Sequence, residues 1–304
     1  MRHLLSITDL RPAEVEAIFS ITRDLKSKHA EGLREPLLPG RVMALLFEKP
    51  SLRTRVSFES GMIQLGGGSL FLTEDSGFNS QRESLADFGR VLSQFVDVIV
   101  VRAKAHKTVE ELARHSACAV INGLTDLCHP CQALADLYTL QELVGPLAGQ
   151  RLTYIGDANN VARSLLELCG YLGVKFVMAT PSNYQFAPEE LTKLRRLIPG
   201  LDITVTTDPR SAVRGAAAVY TDVWTSMGQE AESTQRRADF AAYQVNAALL
   251  QAAPEAYFMH CLPAHRGEEV TDEVIDGPRS IVVQQAGNRL HVQKGILAWL
   301  LSRG

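Results

Sequence analysis

No stretch of this chain approaches the roughly 18 uninterrupted apolar residues of a membrane-spanning helix, so no membrane partner is expected. Excess charge of one sign is also lacking. The 31 Lys and Arg stand against 34 Asp and Glu, a formal net charge of −3. Nucleic acid is therefore not expected as the main partner, although a local cluster of cations could still take an anion. Cysteine is sparse and odd in number: Cys118, Cys128, Cys131, Cys169 and Cys261. In a chain of 304 residues that favours reduced thiols over a disulfide framework, and a cytoplasmic location with them. The opening "MRHLLSITDLRPAEVEAIF" meets acidic residues too early for a signal peptide. Its Thr8–Asp9 pair reads instead as the cap of an amphipathic helix. There is no repeat at a fixed short period and no low-complexity tract.

What is present is an ordinary globular composition, 46% hydrophobic, long enough for two domains. Short β-branched runs alternate with amphipathic ones. The strand candidates are 41–47, 69–73, 96–101, 119–122, 151–157, 174–179, 202–207, 217–222, 256–260 and 280–285. This alternation predicts an α/β protein, each domain a mainly parallel sheet flanked by helices. "LVGPLAGQ" (143–150) ends a helix before a fresh strand, which divides the chain into 1–146 and 147–304. The final run 288–303 has helical spacing and could pack back on either domain.

Polar residues gather where strands end. In "FEKPSLRTRVSF" (47–58), Pro50 ends a strand and Ser51 is a good N-cap. Ser51, Arg53, Thr54 and Arg55 then occupy the first turn of a helix. Free N–H groups, the positive dipole end and forked guanidinium donors make that turn a candidate phosphate site. The plainer reading is a solvated turn whose arginines pair with Glu48 and Glu59. Arg102, at another strand end, could reach the same ligand. "DLCHPCQALADL" (126–137) sets His129 and Gln132 around Pro130 at a helix start, suited to an oxyanion and an amide, or to capping alone. "YIGDANN" (154–160) has one Gly where a dinucleotide turn needs three, so NAD is rejected; Asn159 and Asn160 are caps that could also meet a polar ligand. Asp222 begins a polar loop and could receive an ammonium, and Cys261 stands beside Pro263. Cys128, His129, Cys131, His260, Cys261 and His265 are zinc-type ligands, and Cys128-His-Pro-Cys131 matches a redox pattern. No second pair at zinc-finger spacing accompanies them, and no metal or cofactor is expected.

Ser51-Leu-Arg-Thr-Arg55, His129-Pro-Cys-Gln132, Asp222-Val-Trp-Thr-Ser226-Met227-Gly228 and His260-Cys-Leu-Pro263 together resemble the ornithine carbamoyltransferases, in order along nearly the whole chain. The first two motifs are shared with aspartate carbamoyltransferase; the last two point to ornithine. The resemblance implies carbamoyl phosphate on the first domain and ornithine on the second, with a last helix at about 287–302 returning to the first domain. By motif, Ser51, Leu52, Arg53 and Thr54 hold the phosphate, and Arg102 and His129 serve the phosphate side and carbonyl oxygen. Gln132 takes the carbamoyl amide, and Arg289 reaches the same substrate. Asn160, Asp222, Ser226 and Met227 grip the amino-acid end of ornithine, while Cys261 and the Leu262 carbonyl orient the δ-amine. The resemblance also implies positioning and electrostatic catalysis in a site closed by domain movement and by the loop at 225–230, and a homotrimer, or a multiple of trimers, with sites at subunit interfaces. Putrescine or an acylated ornithine is the alternative acceptor. Three places depart from the family pattern: Phe78 stands where a Gln or His commonly reaches the neighbouring subunit, with Asn79 and Gln81 as alternatives; "DFGRVLS" (87–93) replaces "DTARVLS"; and Gly287 replaces a Glu.

Overall fold

The computed structural model describes residues 2–73, 78, 83–225 and 229–301. They form two compact units, Met1–Leu134 with Gly287–Gly304, and Ala135–Ala286. No helix is long and apolar enough to cross a membrane among the described residues.

In the first unit, β1 (Val42–Phe47), β2 (Gly68–Leu72), β3 (Val98–Arg102) and β4 (Ala119–Leu124) form a wholly parallel sheet in the order β2-β1-β3-β4. The crossovers are helices: α1 (Pro12–Ala30) leads in, followed by α2 (Leu52–Gln64), α3 (Leu85–Leu92), α4 (His106–His115) and α5 (Pro130–Val144). Met43 to Leu46 and Val98 to Val101 are fully buried, as continuous apolar runs in a sheet covered on both faces must be. The chain steps from β1 outward to β2, then crosses back to β3 on the other side of β1. The order of strands therefore reverses between β1 and β3, where Phe47 pairs with Arg102. In open parallel sheets, ligands bind beyond the carboxyl ends at such a reversal.

The second unit repeats the scheme. Its strands β5 (Arg151–Ile155), β6 (Lys175–Ala179), β7 (Ile203–Thr206), β8 (Ala218–Thr221) and β9 (Tyr257–His260) are all parallel, in the order β7-β6-β5-β8-β9. Between them run α6 (Asn160–Leu172), α7 (Pro188–Leu197), α8 (Pro209–Ala212), α9 (Ser233–Phe240) and α10 (Ala247–Leu250), and α11 (Asp272–Ile275) follows β9. Val177, Val219 and Phe258 pack with Trp224, Phe240 and Tyr243 in its core. Here the strand order reverses between β5 and β8, where Ile155 pairs with Thr221.

The last helix, α12 (Val282–Leu301), carries the chain back to the first unit from Gly287 onward. It approaches α1 closely enough that a Cβ on Gly295 would lie 2.2 Å from Thr22 Oγ1. Nine of the ten expected strands form, with ends moved by one or two residues. The tenth, 280–285, does not: Ser280 makes an isolated bridge to Phe258, and Val282 already belongs to α12. Ile281, Val282 and Gln285 are buried while Val283 and Gln284 are exposed. That is a helical stripe, and it outweighs the β-branched composition that suggested a strand.

Candidate active site

On the first unit, the turn after β1 is an N-terminal helix site. Ser51 occupies the N-cap of α2 with extended backbone, yet its hydroxyl makes no capping bond, and the first turn contains no acidic residue. The two arginines of this turn differ. Arg55 is engaged with Glu59 at 3.2 Å and its guanidinium lies 3.7 Å from the ring centre of Phe71. Arg53 makes no ion pair among the described residues. Thr54 is fully buried, and its Oγ1 accepts from Arg289 Nη2 at 3.0 Å. Arg289 Nη1 donates to Gln132 Oε1 at 2.8 Å, so α12 ties α2 to the start of α5. His129, at that start, is buried. Burial, with the nearby Arg289 and Arg102 guanidinium groups, holds its imidazole well below the ordinary range, so it is neutral near pH 7. A neutral imidazole among arginines is a hydrogen-bond donor to an oxygen, not an acid reservoir.

On the second unit, the groups after β5, β8 and β9 converge. Asn159 caps α6: its Oδ1 accepts the N–H groups of Val161 and Ala162, both at 3.0 Å. This fixes the amide, whose Nδ2 donates to Asp222 Oδ2 at 2.8 Å. Asp222 Oδ1 accepts the Val223 N–H at 2.8 Å and the Cys261 thiol at 3.0 Å. Asp222 is buried, and no Lys or Arg pairs with it among the described residues. Burial, and then the adjacent Asp222, push the Cys261 thiol well up. It therefore stays protonated and acts as a donor, not as a nucleophile. Asn160 lies in the first turn of α6. Leu262 follows with φ of 57°, in the left-handed region that L-residues enter rarely.

Metal and redox chemistry find little footing here. Cys131 is pushed by burial up to about 12 and donates to the Asn122 carbonyl, and Cys128 donates to the Leu5 carbonyl. Cys131 is therefore not a poised thiolate. Asp222, His260 and Cys261 bring ligand atoms within 4.8 Å of one another. However, His260 already uses both ring nitrogens, Nδ1 with the Leu262 N–H and Nε2 with Glu269. His265, Glu268 and Glu269 form a second such group, in which Glu268 is paired with Arg237 and Glu269 Oε1 accepts the His265 N–H.

Residues 2–142 match the family described as aspartate/ornithine carbamoyltransferase, carbamoyl-P binding domain, and residues 148–300 match its Asp/Orn binding domain. The chain belongs to the aspartate/ornithine carbamoyltransferase family. The ornithine carbamoyltransferase of Bacillus subtilis is 49% identical, covering 100% of this chain and 95% of its own. That of Pyrococcus abyssi is 47% identical, covering 99% of this chain and 96% of its own. Among solved structures, ornithine carbamoyltransferase from Pyrococcus furiosus superposes with a TM-score of 0.96 at 45% identity, covering 100% of this chain and 98% of that one.

Against this carbamoyltransferase frame, the structure brings Thr54, Gln132 and Arg289 into direct contact, with Arg102 and Arg289 beside His129. Asp222 and Cys261 also bond to one another. Ser226 and Met227 lie outside the described residues, as do Asn79 and Gln81. Phe78 is buried and packs on Phe88 in the apolar core, with ring centres 5.8 Å apart. The sequence reading missed Asn159 as the donor to Asp222, and missed Glu269 altogether. Asn159 carried a signal, since one of two adjacent asparagines at a cap must face inward. Glu269 carried none beyond its place in "HRGEEV".

Proposed function

We propose that this chain is an ornithine carbamoyltransferase, moving the carbamoyl group of carbamoyl phosphate to the δ-amine of L-ornithine to give L-citrulline and phosphate. The carbamoyl-phosphate-binding domain is taken as 1–146 and the ornithine-binding domain as 147–304, with the last helix returning. Ser51, Arg53 and Thr54 hold the phosphate on the N-terminus of α2. Leu52 contributes through its backbone N–H, because its side chain is 75% exposed. Arg102 and neutral His129 donate to the carbonyl oxygen, where negative charge grows as the amine attacks. Gln132, whose Oε1 accepts from Arg289, takes the carbamoyl amide. Arg289 steadies Thr54 and Gln132 and joins the same substrate.

On the other unit, Asp222 receives the α-ammonium of ornithine, with Asn160, Ser226 and Met227 at the amino-acid end. Cys261 and the Leu262 carbonyl orient the δ-amine. That amine must lose a proton before it attacks; the tetrahedral intermediate then expels phosphate already held by cations. No covalent enzyme intermediate is needed, and the work is positioning and charge stabilisation. A place in arginine biosynthesis and a cytoplasmic location accompany this reading, as does a homotrimer. The trimer is supported by an exposed apolar face on α2.

The observation that carries the reading is Asp222: a buried carboxylate held by Asn159, Val223 and Cys261, all neutral, at the strand reversal of the second unit. Such a charge suits a substrate ammonium. The deciding experiment is an acceptor screen with carbamoyl phosphate and ornithine, putrescine or N-acetylornithine. Citrulline as the dominant product is expected; faster ureido formation from putrescine would overturn the assignment.

A further inference from the structure

His260 ends β9, one residue before Cys261. Its imidazole is fully enclosed, and its two nitrogens face opposite demands. The Leu262 backbone N–H donates to Nδ1 at 2.8 Å. A nitrogen that accepts an N–H carries no proton, so Nε2 is the protonated one. Nε2 lies 3.2 Å from Oε1 of Glu269, whose side chain is also fully enclosed. The same oxygen accepts the His265 N–H at 2.6 Å. Glu269 is anchored in turn by its own backbone, whose carbonyl accepts the Val245 N–H at 2.8 Å. The His260 backbone is held separately, by Gln285 Oε1 at 3.0 Å. At the end of this chain of contacts stands Leu262, with its φ of 57°. A non-glycine residue keeps that conformation only where its surroundings hold it.

We infer that Glu269 is a positioning residue of the amine-attack step: it fixes His260 in the Nε2–H tautomer, so that Nδ1 holds the Leu262 backbone and the turn presents the Cys261 thiol and the Leu262 carbonyl. The inference rests on the proposed assignment of those two groups to the δ-amine. Without the carboxylate, the imidazole is free to protonate Nδ1 instead. Two N–H groups would then oppose each other, and the turn would lose its left-handed residue. Second-sphere carboxylates orient imidazoles in the same way around metals; here the oriented group is a backbone turn.

The test uses the full-length protein with Glu269→Leu and Glu269→Gln. Glu269→Gln keeps an Oε1 acceptor for the imidazole. The expected result for Glu269→Leu is a loss of roughly 10- to 100-fold in kcat/KM for ornithine, the range for a small misplacement of reacting groups. The KM for carbamoyl phosphate should stay within about twofold and Glu269→Gln should recover most of the loss, since only the imidazole's acceptor matters. The 15N shifts of His260 in the unsubstituted protein, assigned by their disappearance in His260→Asn, should report protonation at Nε2. That reading needs no variant at position 269 to fold and no turnover at all. Protonation at Nδ1 would overturn the inference. So would a folded Glu269→Leu with unchanged ornithine kinetics, or one that weakens both substrates alike. If the unsubstituted enzyme failed to form citrulline, the functional reading would fall while the tautomer stood.

Discussion

The imidazole of His129 is a stability switch as well as a candidate donor. Its folded pKa is lowered, chiefly by burial, so between that value and the ordinary 6.5 the unfolded chain binds a proton that the folded chain refuses. Stability is therefore complete above about pH 6.5 and declines as pH falls below it. The loss from this group grows as pH falls further below the ordinary imidazole range. Urea midpoints at pH 7.5 and 5.5 check this, and His129→Asn should flatten the difference. On the ornithine side, Asp222→Ala should raise the ornithine KM by about 100-fold or more, the cost of leaving a bound ammonium without its charge partner. Arg53→Ala should instead weaken carbamoyl phosphate; a steady-state series with each substrate varied separates the two. The positions of these groups were legible because each follows an apolar strand run. Their partners were not. Thr54 and Arg289 are 235 residues apart, and the pairing of Asn159 with Asp222 spans 63. Local spacing carries no trace of such contacts.

The elements themselves were mostly readable, since nine strands showed short apolar runs, most of them with Val, Ile or Thr. Residues 280–285 show where this fails. Ile281, Val282 and Val283 have strand composition, and only the burial of Gln285 four residues later reveals a helix. The seam between α1 and α12 is tight at Gly295. A Cβ at Gly295 would meet Thr22 Oγ1 at 2.2 Å and the Ile18 carbonyl at 3.0 Å. Thr22 cannot easily swing away, because its hydroxyl donates to that same Ile18 carbonyl at 2.7 Å. Gly295→Ala should therefore destabilise by about 1–3 kcal/mol through overpacking, despite alanine's better helix propensity. Thr22→Ala in the same chain should return part of it. A chemically induced unfolding curve that shows Gly295→Ala to be neutral would mean that the helices part without cost.

For the whole molecule, three of the exposed large apolar residues share one helix. Leu52, Val56 and Ile63 are 75%, 48% and 63% exposed and stand four and eleven positions apart on α2, which puts them on one helical face. A stripe of this kind suits an interface, and the proposed trimer would use it. Ile63→Glu should lower the mass seen by light scattering from three chains to one while circular dichroism stays unchanged. An unaltered mass would place the interface elsewhere.

The route of the chain has a consequence for how the protein is made. Both passages between the units, at 134–135 and 286–287, fall inside helices, α5 and α12, and the second unit is a single uninterrupted segment. A ribosome releases chain from the N-terminus, so the second unit can finish folding while the first still lacks its closing piece. Until residues 287–301 emerge, the α1 surface at Ile18 and Thr22 has no α12 against it. The domain that begins first is completed last, and the nascent chain carries an uncovered apolar seam for most of its synthesis.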